Sequence, residues 1–325
     1  MKHWVAEKLI CPDCLPEENP LKTQISREAK GDITDGKLHC PACGRSYVVE
    51  NGIANLRPEK TPKVKSANNG YNAPVMLSAY MWSHFGDLLA DDRATDAYQV
   101  WSRSFVPTSG DALDVGCAVG RLSFELSKTH DRVIGIDTSF AFIAKARQIV
   151  REKNLDFELV VEGNLTERRH VAFDNGWHFE NIDSIVADAL ALPFAGRDFS
   201  GVAAINVLEK VPDPLKHLEE VNRVLRPKDA MFLFSDPFSW DPAFSPPERW
   251  LGGSRNGSNP YSKRGIDTIR RMFAGEFGVF DPPFEIANQG DVSWKIRKTE
   301  NLWEQITSQF LVGCRKPDSA LSKER

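Results

Sequence analysis

The stretch Ala112-Leu113-Asp114-Val115-Gly116-Cys117-Ala118-Val119-Gly120-Arg121 constrains this chain more than any other. A short apolar run stops at a glycine, a tight turn follows, and a second glycine opens an amphipathic segment. That order predicts a strand, a turn and a helix. Glycines let such a turn pass close to a ligand, and the first N–H groups of the helix have no partner inside it. A second apolar run, Arg132-Val133-Ile134-Gly135-Ile136-Asp137, ends in an acid. A carboxylate at that place can accept hydrogen bonds from a ribose diol.

The pattern continues downstream. Thr138 is predicted to cap a helix running to about residue 153. Residues 157–183 read as an irregular insertion, and residues 183–190 as the third core strand, with Asp188 near its carboxyl end. The continuous apolar run at 200–208 predicts a parallel strand covered on both faces, ending at Asn206. Asp213-Pro214-Leu215 opens a helix with Leu218, Val221 and Val224 on one face, and residues 230–237 form a fifth strand. A helix over 262–274 and a strand pair between Phe284 and Cys314 close the domain.

Dinucleotide enzymes carry Gly-x-Gly-x-x-Gly; here Ala118 holds the middle position. The compact Asp-x-Gly-x-x-x-Gly form, followed by Asp137, resembles class I S-adenosylmethionine-dependent methyltransferases. A phosphate-binding turn of another Rossmann-like protein is the other reading. The resemblance implies an α/β fold with a Rossmann-like seven-stranded sheet and S-adenosylmethionine as cofactor. It implies that Asp114, Gly116, Cys117, Ala118 and Gly120 pass the methionine part and that Asp137, beside Thr138, holds the ribose. Asp188 and the main chain of Ala189 meet the adenine, and Asn206 orients cofactor or substrate.

Cys11-Pro12-Asp13-Cys14 and Cys40-Pro41-Ala42-Cys43 are two Cys-x-x-Cys knuckles. Two knuckles complete a tetrahedral Cys₄ zinc site. Four thiolates leave no open position for water, so the zinc is structural. Ser46 to Ile53 reads as strand, Asn-Gly turn and strand. Residues 1–56 thus form a zinc ribbon that resembles Trm112-like modules and could hold a protein partner. Cys117 and Cys314 read as small buried residues.

Residues 57–108 read as a linker and helical cap. The linker carries Lys60, Lys63 and Lys65 and reads as a solvated hinge, with a local positive patch as the other reading. Residues 74–101 have helical periodicity, with Tyr80 and His84 as substrate-lining and substrate-orienting candidates. The domain over 109–316 contains a loop at 238–253 rich in aromatics, proline and glycine, whose Trp240 and Trp250 suit a lid over a flat substrate. Residues 317–325 form a tail.

The segments 157–163, 188–193 and 204–214, with the Trp-Leu-Gly-Gly loop at 250–253, occur in an order that resembles the C-terminal methyltransferase domain of ovothiol synthases. That domain methylates a ring nitrogen of 5-thiohistidine, which implies a small-molecule acceptor such as thiohistidine or a related imidazole. Two other readings remain open. One is an RNA or protein (histidine) methyltransferase using the ribbon to hold its substrate; the other is a non-catalytic partner protein. The net charge of −4 argues against a nucleic-acid partner. No apolar run spans a bilayer and the first residues do not form a signal peptide, so the expectation is a cytoplasmic protein.

Overall fold

A computed structural model describes residues 1–59, 70–105, 109–173, 176–254 and 260–315. The lysine patch at 60–65 and the tail at 317–325 lie outside the described residues.

The ribbon begins with α1 (His3–Ala6) and continues as an antiparallel sheet in sequence order: β1 (Lys22–Ala29), β2 (Asp32–His39), β3 (Ser46–Glu50) and β4 (Ile53–Ala54). The Asn-Gly turn is present, with Asn51 and Gly52 at φ 50° and 80°. The first hairpin gave no signal in the sequence because β1 is exposed along its whole length and needs no apolar alternation.

Residues 74–101 form two helices, not one: α2 (Pro74–Phe85) and α3 (Ala97–Ser104). A 3₁₀ turn at Gly86–Leu89 and a left-handed Ala90 separate them. Trp82 Nε1 donates to Asp91 Oδ2 at 3.0 Å, which folds the connection back onto α2.

The large domain holds β5 (Ala112–Val115), α4 (Arg121–Leu126), β6 (Val133–Asp137), α5 (Phe140–Glu152), β7 (Asn154–Glu162), β8 (Leu165–Ala172) and β9 (Ile182–Val186). It continues with β10 (Gly201–Ile205), α6 (Pro214–Val224), β11 (Ala230–Asp236), α7 (Gly265–Phe273), β12 (Glu285–Arg297) and β13 (Trp303–Arg315). Seven strands form one sheet in the order β12-β13-β11-β10-β5-β6-β9. The five from β11 to β9 are parallel, and β13 runs antiparallel to both β11 and β12. This is the expected Rossmann-like methyltransferase sheet. The chain order reverses between β5 and β10, and ligands of such sheets bind at the carboxyl ends beside that reversal.

Three local expectations change. Residues 157–183 are not irregular throughout: β7 and β8 pair as an antiparallel hairpin closed at Gly163-Asn164. The cap of α5 is Ser139, whose hydroxyl accepts from Phe142 N at 3.2 Å, and not Thr138. The helix expected from 262 starts at Gly265.

The ribbon shares its core with the large domain. Val5, Leu9, Ile33 and Leu38 pack in one buried cluster with Leu113, Ile134 and Phe194. Leu56 N donates to Val186 O at 2.8 Å, so the end of the ribbon covers the otherwise open edge of β9. Arg147 on α5 bridges Asp32 of the ribbon, at 2.9 Å, and Asp183 at the base of β9.

Candidate functional site

The turn after β5 is built as its glycines require. Gly116, Ala118 and Gly120 all have positive φ, of 74°, 46° and 90°. A Cβ on Gly116 would stand 2.5 Å from Val207 Cγ2, so only glycine lets the turn pass the start of the β10 loop. Asp137 ties the turn to β6. Its carboxylate accepts from Ala118 N at 3.1 Å and from Ser139 N at 2.8 Å. Burial pushes this carboxyl up to about 6, against the pull of those N–H groups.

One cavity opens over the carboxyl ends of the strands. Gly116, Ala118, Asp137, Thr138, Asp188 and Ala189 line it, as do Asn206, Tyr80 and His84. Three turn residues stand behind the wall. Asp114 accepts from Ser123 Oγ at 2.7 Å and anchors α4; burial pushes its carboxyl up to about 7. Cys117 packs with Ile53, Ile143 and Val186, between the sheet and the ribbon. Gly120 lies against Phe124, 2.9 Å from where its Cβ would be.

Trp240 and Trp250 are also not on the wall. Their rings stack on each other at 6.0 Å and 14°, and Trp250 Nε1 donates to Ser245 O at 2.9 Å. They brace the 238–253 loop from within.

The structure brings further residues to the cavity: Tyr71, Tyr98, Phe142, Lys210 and Trp294. Tyr80 packs 4.8 Å from Phe142 and edge-on to Tyr71 at 5.9 Å, forming an aromatic roof. Tyr98 Oη lies 2.6 Å from His84 Nε2. Ser308 Oγ donates to Asn206 Oδ1 at 2.7 Å and receives Trp294 Nε1 at 2.9 Å. This chain fixes the Asn206 amide with its NH₂ as the remaining donor. Tyr71 and Tyr98 sit on cap segments that helical periodicity alone does not single out. Lys210 lay within reach of a sequence argument, four positions past Asn206 and beyond a strand end.

Burial holds the imidazole and the phenols of the wall in their neutral forms. It pushes the Tyr80 and Tyr98 hydroxyls far up. It pushes His84 well down, with Arg121 adding to the effect. Among the described wall residues, neither the imidazole nor the phenols therefore take a proton readily at neutral pH.

The ribbon cysteines form a second centre. The sulfurs of Cys11, Cys14, Cys40 and Cys43 lie within 4.8 Å of one another. Cys11 Sγ to Cys43 Sγ and Cys14 Sγ to Cys40 Sγ are both 3.7 Å. A tetrahedron of 2.3 Å zinc–sulfur bonds has edges of about 3.8 Å, so the donor set fits zinc. Burial opposes ionisation of Cys40, but the N–H groups of Cys43 and Ala42 outweigh it and draw the thiol down to about 7. Tyr47 Oη lies 3.2 Å from Cys11 Sγ and donates to Asp13 Oδ2 at 2.7 Å, an outer layer around the ligands.

Residues 113–233 match the family described as methyltransferase domain, and residues 5–52 the family described as Trm112p-like protein. The 2-phytyl-1,4-naphtoquinone methyltransferase of Thermosynechococcus vestitus is 29% identical over 161 residues, covering 46% of this chain and 60% of that protein. The demethylmenaquinone methyltransferase of Staphylococcus haemolyticus is 29% identical over 140 residues, covering 41% of this chain and 48% of that one. Among solved structures, a SAM-dependent methyltransferase from Methanosarcina mazei is 19% identical, with 66% of this chain and 96% of that chain covered and a TM-score of 0.43. The chain thus spans 60% or less of the length of these two curated relatives. Its likeness to methyltransferase domains lies in residues 113–233, behind a segment similar to Trm112p-like proteins.

Proposed function

We propose that this chain is an S-adenosylmethionine-dependent methyltransferase that acts on a small molecule in the aromatic-roofed cavity. The observation that carries this reading is the meeting, in one cavity, of the Gly116–Ala118 turn, Asp137, Asp188 and the Tyr80–His84 roof. The cradle fits the cofactor. Gly116 has no room for a side chain toward Val207, and the Asp137 carboxylate on the same wall would accept from a ribose diol. Asp188 and the Ala189 main chain would hold the adenine.

The bound cofactor supplies a methyl group already activated by a cationic sulfur. What the chain adds is alignment and dryness. The roof of Tyr71, Tyr80 and Phe142 excludes water, and the Asn206 NH₂ can orient a reacting partner. With His84 and the tyrosines held neutral, the wall favours an acceptor whose lone pair is available at pH 7 without help. A ring nitrogen with a pKa near 6.5 meets that condition, as does an acid already ionised.

Two observations bear on the acceptor. The resemblance to the ovothiol domain favours an imidazole nitrogen, as in thiohistidine, while the two curated relatives described above are named for quinone substrates. The ribbon reads as a structural zinc module that braces β9 in cis, and the Trm112-like match leaves it as the surface for a protein partner. Zinc-loaded protein with S-adenosylmethionine should be offered 5-thiohistidine, histidine, histidine peptides, 1,4-dihydroxy-2-naphthoate and total RNA, with products followed by mass. A small-molecule product carrying one added methyl supports the reading. Methylation of RNA or peptide alone overturns it.

A further inference from the structure

Lys210 sits on the 3₁₀ turn Leu208–Lys210 beyond β10 and is the one cationic side chain among the described residues lining the cavity. It is held in place from behind. Glu209 Oε1 lies 2.9 Å from Lys210 Nζ, while the other oxygen of Glu209 accepts from Ser239 Oγ at 2.5 Å. The Phe244 ring covers the ammonium at 4.8 Å from its centroid. An ammonium has three donors and Glu209 takes one, so donors remain for a ligand.

The buried Asp236 behind Glu209 does not swamp this lysine. Burial and the neighbouring Glu209 charge push the Asp236 carboxyl well up, and its oxygens are taken by Phe238 N at 2.7 Å and Glu209 N at 3.4 Å. Asp236 thus faces away from Lys210 into backbone donors, and Glu209 is the carboxylate paired with the lysine. The carboxyls on the wall, Asp137 and Asp188, lie on the side that the cofactor would take. Of the other polar groups there, Tyr98 and His84 bond each other and the Tyr80 hydroxyl bonds Tyr71, which leaves the Tyr71 O–H and the Asn206 NH₂ as donors. Donors and a cation beneath an aromatic roof match a flat ring that carries negative oxygen.

Resting on the methyl-transfer reading, we propose that the acceptor is a planar, ring-containing carboxylate and that Lys210 is the residue that selects it. Lys210 acts on the substrate's anionic group, away from the transferred methyl, so its contribution is to specificity.

The test uses full-length, zinc-loaded protein saturated with S-adenosylhomocysteine and two matched probe pairs. These are imidazole-4-acetate with its amide, and 1,4-dihydroxy-2-naphthoate with its amide, with dissociation constants read by calorimetry. In at least one pair the acid should bind about tenfold or more tightly than the amide, as expected for a charge-assisted hydrogen bond. K210M should abolish that preference and K210R should keep it, with S-adenosylhomocysteine affinity equal in all three proteins as proof of folding. Equal binding of acid and amide, no acid binding at millimolar concentration, or a preference that survives K210M overturns the proposal. Failure of the wild type to bind S-adenosylhomocysteine overturns the methyltransferase reading itself, and this inference with it.

Discussion

Replacing Arg121 by methionine should cost about 3 kcal/mol of stability, and it should do so through the joint between cofactor turn and roof. Arg121 follows Gly120 directly, and its side chain is only 1% exposed. Its guanidinium donates to both oxygens of Asp87, at 2.7 and 2.9 Å, to the His84 carbonyl at 2.7 Å and to Glu125 at 3.0 Å. The bidentate pair bolts the end of α2 onto α4. Removing one partner of a buried pair costs about 3–5 kcal/mol because the other charge is left uncompensated. The lower end applies here. Gln99 still donates to Asp87 at 2.9 Å, and Lys128 still pairs with Glu125 at 2.7 Å. A domain of this size loses roughly 2–4 °C of melting temperature per kcal/mol, so R121M should melt roughly 10 °C lower. Folding should survive, since domains hold about 5–15 kcal/mol. The assay is thermal denaturation of wild type, R121M, D87N and R121M/D87N. The double variant carries no uncompensated Asp87 charge and should melt above R121M. A loss in R121M of less than about 1 kcal/mol, or strictly additive single effects, would refute the clamp.

Asp137→Ala should weaken S-adenosylmethionine binding by well over tenfold, and freeing the Ala118 and Ser139 N–H groups should cost about 1–3 kcal/mol of stability; unchanged affinity by calorimetry removes Asp137 from the ribose role. Asp114 should make stability fall with pH. Its folded value of about 7 lies above the unfolded value near 3.9, so its contribution is full below about pH 4 and is lost as pH rises through 7. D114N removes that loss, so its melting temperature relative to wild type should climb between pH 5 and 8; parallel profiles would count against the assignment. Chelation should release one zinc per chain, counted by native mass spectrometry, and unfold a ribbon whose metal contributes on the order of 10 kcal/mol. Because residues 54–56 cover β9, whose continuation carries Asp188 and Ala189, the stripped protein should also bind S-adenosylhomocysteine more weakly. Equal affinity with and without zinc would show that the ribbon does not support the site.

What could be read from the sequence was short-range. The turn at Gly116, the acid at Asp137 and the two cysteine knuckles each announce themselves within ten residues, because one local backbone or ligand geometry dictates them. The sheet followed from the same cause: buried parallel strands are continuous apolar runs, and 112–115, 133–137 and 201–205 lie inside the runs expected. The acceptor half of the cavity was only partly visible, and the reason is geometric. Tyr80 and His84 come from α2, Tyr98 from α3, Lys210 from the turn after β10, and Trp294 from β12. Trp294 reaches Asn206 only through Ser308, a contact made by strand register and not by spacing. The break between α2 and α3 was hidden for a related reason. Its apolar periodicity runs on, and what ends α2 is a tertiary arrangement, Asp87 held by Arg121 and Asp91 by Trp82. Trp240 and Trp250 show the converse case. Aromatics in a loop beyond a strand suggest a ligand, yet two indoles within one loop satisfy each other by stacking. The cofactor half of such a site is therefore written locally, because the turn must fit one fixed ligand, whereas the acceptor half is written in contacts between distant segments. That division is why substrate identity is the part that a binding panel on Lys210 must supply.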